Sequence, residues 1–332
     1  MSMKITSLVT GGAGFIGAHV VNDLIVLKHE VIVLDDLSGG FEENLNAAAI
    51  LRIGSITDVE LVDSLFEEYD FTYVYHLAAY AAEGLSHFIR RFNYQNNLIG
   101  SVNLINASVN HGVKCFVFTS SIAVYGTNAL PLIETHIPKP EDPYGIAKLA
   151  VEMDLASARK LFGLNYVIFR PHNVYGPMQN IGDKYRNVVG IFMNQLLSGD
   201  PLSIYGDGEQ TRAFTSINDI APYIANSVNI KEALNEVFNI GSDDVTSVTE
   251  LADNIMDSIQ IQGKIDHLDA REEVVHAYSD HSKFNAIFKP SKKTNLSDGL
   301  TEMAEWVKAH GIRSTSSFNK IEVKKNLPKS WE

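Results

Sequence analysis

The chain has 332 residues, 45% of them hydrophobic and 20% charged, enough for one large domain or two modest ones. Its 27 basic residues stand against 40 acidic, a formal charge of −13, which argues against a nucleic-acid partner because such a partner requires a basic footprint. The lone Cys115 excludes an internal disulfide and a thiolate zinc site, so no metal centre is expected. Without a signal-like start the chain is expected in a reducing, cytoplasmic compartment, and no apolar run approaches the roughly eighteen residues of a membrane span.

In chain order, short β-branched runs at 5–10, 30–35, 50–53, 73–77, 115–120 and 166–170 predict strands, and helical periodicity fills 14–28, 58–69, 90–111 and 143–162 between them. SLVT and VIVL are apolar at nearly every position, which suits strands buried on both faces. The alternation predicts an α/β chain with a Rossmann-type, doubly wound parallel sheet over 1–171. Past residue 171, Gly, Pro, Asn and Asp become frequent and helical stretches at 187–198, 218–230, 247–260 and 296–310 interrupt shorter strands. A smaller α/β substrate domain is therefore expected over 172–311, with the chain crossing back to the first domain around 213–245. The last stretch, 312–332, has no strong periodicity and reads as a peripheral tail.

A glycine-rich turn, Gly11-Gly12-Ala13-Gly14-Phe15-Ile16-Gly17, follows the first strand and opens the first helix. Glycines at 11, 14 and 17 make a tight turn, let backbone approach a pyrophosphate and allow helix to pack closely on strand, with the phosphate at the helix N-terminus. Asp35 ends the second strand, where a carboxylate accepts hydrogen bonds from ribose hydroxyls and repels a 2′-phosphate. The expected cofactor is NAD rather than NADP.

Tyr144-Gly145-Ile146-Ala147-Lys148 sets a phenol and an ammonium one helical turn apart on one face. A cation that close lowers a phenol from its usual pKa of about 10 and makes it a general acid/base for a sugar or alcohol hydroxyl. Ser120 and Ser121 lie at the carboxyl end of the fifth strand, the edge where ligands bind in an open α/β sheet.

With its glycines at 11, 14 and 17, the chain resembles the extended short-chain dehydrogenase/reductase superfamily. The superfamily's catalytic Ser/Thr, Tyr and Lys correspond to Ser121, Tyr144 and Lys148. The resemblance extends the cofactor contacts to Phe15, Ile16, Asp36, Ser38 and Gly39. It adds Ser55 and Ile56 after the third strand, Leu77, Ala78 and Ala79 after the fourth, Asn97, and Thr119 and Pro171 at later strand ends. Nucleotide-sugar 4,6-dehydratases carry an acid pair directly after the catalytic Ser/Thr, and decarboxylating xylose synthases keep its Glu. Here Ile122 and Ala123 cannot titrate, so both chemistries are disfavoured.

Three later segments, Arg170 to Pro177, Tyr185 to Val188 and Ser203 to Phe214, resemble the substrate-binding stretches of UDP-glucose 4-epimerase-like nucleotide-sugar epimerases, a likeness running from about residue 4 to about residue 310. It implies that Asn173, Asn187 and Val188 meet the diphosphate or sugar, that Tyr205 borders the uracil, and that Arg212 and Arg271 neutralise phosphate. Glu83 and Ser86 fall in the sugar-facing loop. The gate of the sugar pocket falls at Ala277 or, if the alignment slips by one, at Tyr278. Two departures stand out: Ala81 replaces a lysine, and Gly54-Ser55-Ile56 replaces the usual Gly-Asp beside the adenine. The expected activity is NAD-dependent 4-epimerisation of a UDP-hexose, UDP-glucose/UDP-galactose or the N-acetylhexosamine pair, through a 4-keto sugar. The alternatives are a UDP-glucuronate 4-epimerase or a nucleotide-sugar reductase or dehydrogenase. A homodimer pairing helices 90–111 and 143–162 is implied by the same likeness.

Overall fold

The computed structural model describes residues 4–183, 185, 187–270, 275–291, 293–313 and 320–328. Seven strands form the central sheet: β1 (Thr6–Thr10), β2 (Glu30–Asp35), β3 (Ile50–Ile53), β4 (Tyr73–His76), β5 (Cys115–Thr119), β6 (Asn165–Pro171) and β7 (Glu236–Ile240). Their order is β7-β6-β5-β4-β1-β2-β3, and every neighbouring pair is parallel. The main helices between them are α1 (Phe15–Val26), α2 (Val59–Glu68), α3 (Gly100–Asn110) and α4 (Pro143–Phe162).

Successive strand residues point to opposite faces, so a strand covered on both sides is largely apolar, with small hydroxyls such as Ser7 and Thr10 of β1 the buried polar side chains it admits. Val9, Val33, Val117 and Phe169 face one layer, where Val20, Val21 and Leu24 of α1 meet them. Leu8, Ile32, Phe116 and Phe118 face the other, against Leu65 of α2, Leu104 of α3 and Leu155 of α4. Each such fully buried side chain contributes roughly 1.5–3 kcal/mol relative to exposure. Local signals set the ends of α4: the Asp142 carboxylate accepts the Gly145 N–H at 2.9 Å, Pro143 occupies the first turn, and Gly163 stops the helix at φ 82°.

After β6 the chain builds a second core from α5 (Val188–Ser198), α6 (Val248–Ile259) and α7 (Leu296–His310), with Phe192, Ile255 and Met303 among its buried side chains. The strand Leu202–Tyr205 pairs there with Ile265–Leu268. Between these pieces the chain returns to the first sheet. Ala221, Ile224 and Ala225 join the core under α1, and β7 adds to the edge beside β6.

Two expected helices take other forms. The 90–111 stretch is Arg90–Tyr94, a π-helical turn Gln95–Ile99 and then α3, and 218–230 contains one short helix, Ala221–Asn226, flanked by 3-10 turns. Pro222 donates no backbone N–H, so it fits the first turn of that helix and nowhere deeper. The helix Ser282–Phe288 and paired segments of two or three residues, such as Val174–Tyr175 and His276–Ala277, are too short to leave a periodic signal. No helix among the described residues is long and apolar enough to cross a membrane.

Candidate active site

The strand order reverses between β1 and β4, which opens a crevice at the carboxyl ends of the parallel strands. A cavity of about 1110 Å³ lies there, running from the glycine turn to the second core.

At one end it is lined by Gly11, Gly14, Phe15, Ile16 and Gly17. Gly11 has φ 70°, and a Cβ there would sit 2.7 Å from the Ala78 backbone; at Gly17 a Cβ would lie 2.0 Å from the Gly11 carbonyl oxygen. The turn therefore tolerates no side chain at either position. Gly14 is the N-cap of α1 and offers no side-chain cap, so the first-turn amides keep donors for an anion in the cavity. Asp35 lines the same end beside Asp36, Ser38 and Gly39. Its carboxylate is fixed by the amides of Ala13 at 2.9 Å and Leu37 at 2.8 Å. Burial pushes the Asp35 carboxyl up, and those amides oppose the shift. A side-chain-free cradle, an uncapped helix start and a held carboxylate together fit a dinucleotide. Ser55, Ile56, Leu77, Ala78 and Ala79 continue this wall, and Thr119 and Pro171 close it.

Ser121, Tyr144 and Lys148 line the middle of the cavity, all buried or nearly so. The Ser121 hydroxyl accepts the Ala123 N–H at 3.1 Å as it caps the 3-10 turn Ile122–Tyr125. Lys148 donates from Nζ to the Thr119 carbonyl at 2.7 Å and stands 5.7 Å from the Tyr144 ring centroid and 4.6 Å from that of Phe118. Burial lowers its ammonium to about 7, opposed by the Glu152 carboxylate one turn further along α4. Glu152 is itself buried against the Arg170 guanidinium, accepting from Nε and Nη2, and accepts the Ser120 hydroxyl as well. Behind this group His76 bridges Thr10 and Ser101, and burial holds its imidazole well below the usual range, in the neutral form.

Toward the second core the lining comprises Glu83, Asn173, Asn187 and Val188, then Tyr205, Arg212 and Ala277. Asn187 caps α5 by accepting the Val189 N–H at 2.9 Å while donating to the Val174 carbonyl at 2.7 Å. Asn173 adopts φ 41° and donates to the Ala213 carbonyl at 3.2 Å. Arg212 is braced against the Thr211 and Val275 carbonyls and lies in register with Ala277. Of the two gate candidates Ala277 lines the cavity, whereas Tyr278 pairs through its carbonyl with the Leu132 N–H.

Ser86 and Asn97 do not line the cavity. The Ser86 hydroxyl accepts the Tyr144 N–H at 3.3 Å and donates to the Glu83 carbonyl. Asn97 is 2% exposed and clamps Tyr80, accepting its N–H at 2.9 Å and donating to its carbonyl at 3.1 Å. Both act on the wall from behind. Arg271 lies outside the described residues. Conversely, Tyr80, His87, His172, Gln179 and Gln210 line the cavity without having been singled out. Gln179 is 7% exposed and its Oε1 has no hydrogen-bond partner. No local pattern marks it, because its place depends on the fold of 176–182 beneath α5.

The family model described as the NAD dependent epimerase/dehydratase family matches residues 7–241. The chain belongs to that family. NAD is the cofactor of this family member. Among its relatives, the UDP-glucose 4-epimerase of Mycolicibacterium smegmatis is 36% identical over 251 residues, covering 74% of this chain and 80% of the relative. The crystal structure of UDP-glucose 4-epimerase with UDP-glucose from Thermotoga maritima superposes with TM-score 0.87 at 35% identity, over 92% of this chain and 99% of that one. The UDP-glucuronic acid 4-epimerase of Bacillus cereus, in complex with UDP-glucuronic acid and NAD, gives TM-score 0.84 at 27% identity, over 92% of this chain and all of its own.

Proposed function

We propose that this isomerase interconverts the C4 epimers of a UDP-hexose, UDP-glucose/UDP-galactose or the N-acetylhexosamine pair, through a transient 4-keto sugar. One observation carries the reading: Ser121, Tyr144 and Lys148 line one cavity with the glycine turn, and the two positions after Ser121 hold Ile122 and Ala123, which move no protons. NAD, when bound, supplies the reversible two-electron oxidation of sugar carbon 4. Tyr144 takes the proton from the 4-hydroxyl and later returns it, with the Lys148 charge favouring the phenolate. Ser121 hydrogen-bonds the same oxygen and keeps it aligned while the proton moves. The sugar is tethered through its diphosphate near Asn173, Asn187 and Arg212, and turns over between the two proton transfers. Ala277 and Ala81 leave room for that motion. The same small side chain at Ala277 admits a carboxylate, which keeps UDP-glucuronate 4-epimerisation as the second reading.

Incubation with UDP-glucose, UDP-N-acetylglucosamine and UDP-glucuronate, followed by resolution of the C4 epimers, identifies the pair. The nicotinamide absorbance stays constant for an epimerase, and a steady rise or fall with turnover would identify a reductase or dehydrogenase instead. Tyr144→Phe loses turnover by at least about 100-fold and retains NAD; an active Tyr144→Phe enzyme overturns the assignment.

The setting we assign is the cytoplasm, supported by a single buried thiol, Cys115, that burial pushes up to about 12. A homodimer pairing the helical run 90–111 with α4 is supported by the apolar side chains exposed there: Ile99 at 43%, and Ile146 and Met153, seven residues apart on one face of α4. Light scattering at the mass of one chain refutes it.

A further inference from the structure

Tail residues 321–323 lie against the segment that forms the sugar-facing wall. Ile321 packs in the apolar cluster of Ala82, Leu85 and Ile89 with Phe88, Phe92 and Tyr185. The Glu322 and Val323 amides both donate to the Phe88 carbonyl, at 2.8 and 3.1 Å. In the opposite direction the Glu322 carboxylate accepts the backbone N–H of Arg91 at 2.7 Å and of Phe92 at 2.9 Å. Those amides open the helical run at Arg90, where they have no intrahelical acceptor, and the local N-cap residue, Ile89, provides none. The capping carboxylate that local sequence lacks comes from 231 residues away.

This contact bears on the cavity. Glu83, Gly84, Leu85, His87 and Phe92 line it, all within the segment that the tail grips.

We propose that Glu322 is a positioning residue for the sugar-facing wall. It holds the segment 83–92 in its binding geometry before the sugar nucleotide arrives. Without the strap the wall samples other conformations, and apparent affinity falls by the fraction of time that it is out of place. The proposal rests on the epimerase reading for its kinetic consequence and on the hydrogen bonds alone for its structural one.

The test uses the full chain carrying Glu322→Ala or Glu322→Gln, and a chain ending at Arg313. With UDP-glucose, or whichever of the three sugar nucleotides turns over, Glu322→Ala raises KM about fivefold, as expected for loss of a helix cap, with kcat within about twofold. Glu322→Gln recovers part of the loss because one acceptor oxygen remains, and the truncated chain is at least as impaired as Glu322→Ala. Hydrogen exchange in 86–94 quickens in Glu322→Ala while exchange in α1 does not change. An unchanged KM, or a rise in KM that comes with faster exchange throughout the protein, overturns the proposal. If the parent enzyme converts none of the sugar nucleotides, the epimerase reading fails separately. Exchange in 86–94 then decides, and an unchanged rate in Glu322→Ala overturns the strap.

Discussion

Gly17→Ala separates the fold from cofactor binding. A methyl at residue 17 would lie 2.0 Å from the Gly11 carbonyl oxygen and 2.8 Å from both the Gly11 carbonyl carbon and the Gly12 Cα. All three atoms are backbone, so no side chain can rotate away. Because Cβ contacts below 3.0 Å essentially do not occur, the start of α1 must shift by about 1 Å from the glycine turn. Val20, Val21 and Leu24, each 0% exposed, anchor the rest of the helix to the sheet and confine the shift to the first turn. Overpacking of this kind costs about 1–3 kcal/mol. An unfolding entropy of about 2.1 cal/mol/K per residue over 332 residues gives a fall in Tm of only about 1.5–4 °C. Cofactor binding is hit harder, since the displaced amides are the ones offered to an anion. Loss of even one charge-assisted hydrogen bond, about 1.5–3 kcal/mol, weakens NAD binding by more than tenfold. Gly112→Ala is the control: at φ 68° with nothing within 4 Å of its would-be Cβ, it costs about 1–2 kcal/mol of backbone strain and leaves NAD affinity unchanged. Titration calorimetry with NAD on both variants decides. Wild-type affinity in Gly17→Ala would refute the reasoning.

Lys148→Met changes how stability depends on pH. The ammonium has its pKa lowered from 10.5 to about 7 in the fold, so between those values the unfolded chain holds a proton that the folded chain lacks. The destabilisation is fully present below about pH 7 and is relieved as pH rises, adding a positive slope of up to about 1.4 kcal/mol per pH unit. Denaturant titrations from pH 7 to pH 9 show a shallower slope in Lys148→Met; identical slopes contradict the buried cation. Asp35→Ser removes the carboxylate that would repel a 2′-phosphate, so the preference for NAD over NADP narrows by at least tenfold in binding assays, and an unchanged ratio rules out Asp35 as the discriminator. Cys115, at 2% exposure and with its thiol raised to about 12, reacts with a thiol reagent only after unfolding; rapid labelling of the native enzyme contradicts its burial.

What could be read without coordinates divides along a physical line. The run that became β2 betrays burial on both faces because Val31 to Leu34 are all buried and all apolar, and in β1 the buried Leu8 and Val9 do the same between small hydroxyl side chains. Gly11, Gly14 and Gly17 are legible for a similar reason, because the constraint acts through adjacent backbone. Ser86 and Asn97 show the limit. Both are small polar residues near the cleft, but their partners, the Tyr144 N–H and the Tyr80 backbone, come into reach only when the chain folds, and those bonds hold both residues behind the wall. The capping of Arg91 and Phe92 by Glu322 is further out of reach, since nothing local to residue 322 distinguishes it from other tail charges.

Charge follows the same division. A formal charge of −13 describes the whole chain, and the cavity is acidic too: Asp35, Asp36, Glu83, Glu141 and Asp142 line it, against Lys148 and Arg212 among the described residues. Among those lining residues Lys148 donates to the Thr119 carbonyl, and Arg212 to the Thr211 and Val275 carbonyls. In the proposed site anions are held by direction rather than by a positive field: an uncapped helix start at one end, and at the other a guanidinium that also donates to two carbonyls. Such donors act at contact distance and fade within a turn of helix. An acidic protein can therefore hold two polyphosphates in one cleft without a positive surface; in the proposed mechanism the Asp35 carboxylate selects against a 2′-phosphate, while Ile122 and Ala123, which carry no acid, offer no group for proton transfer beyond carbon 4.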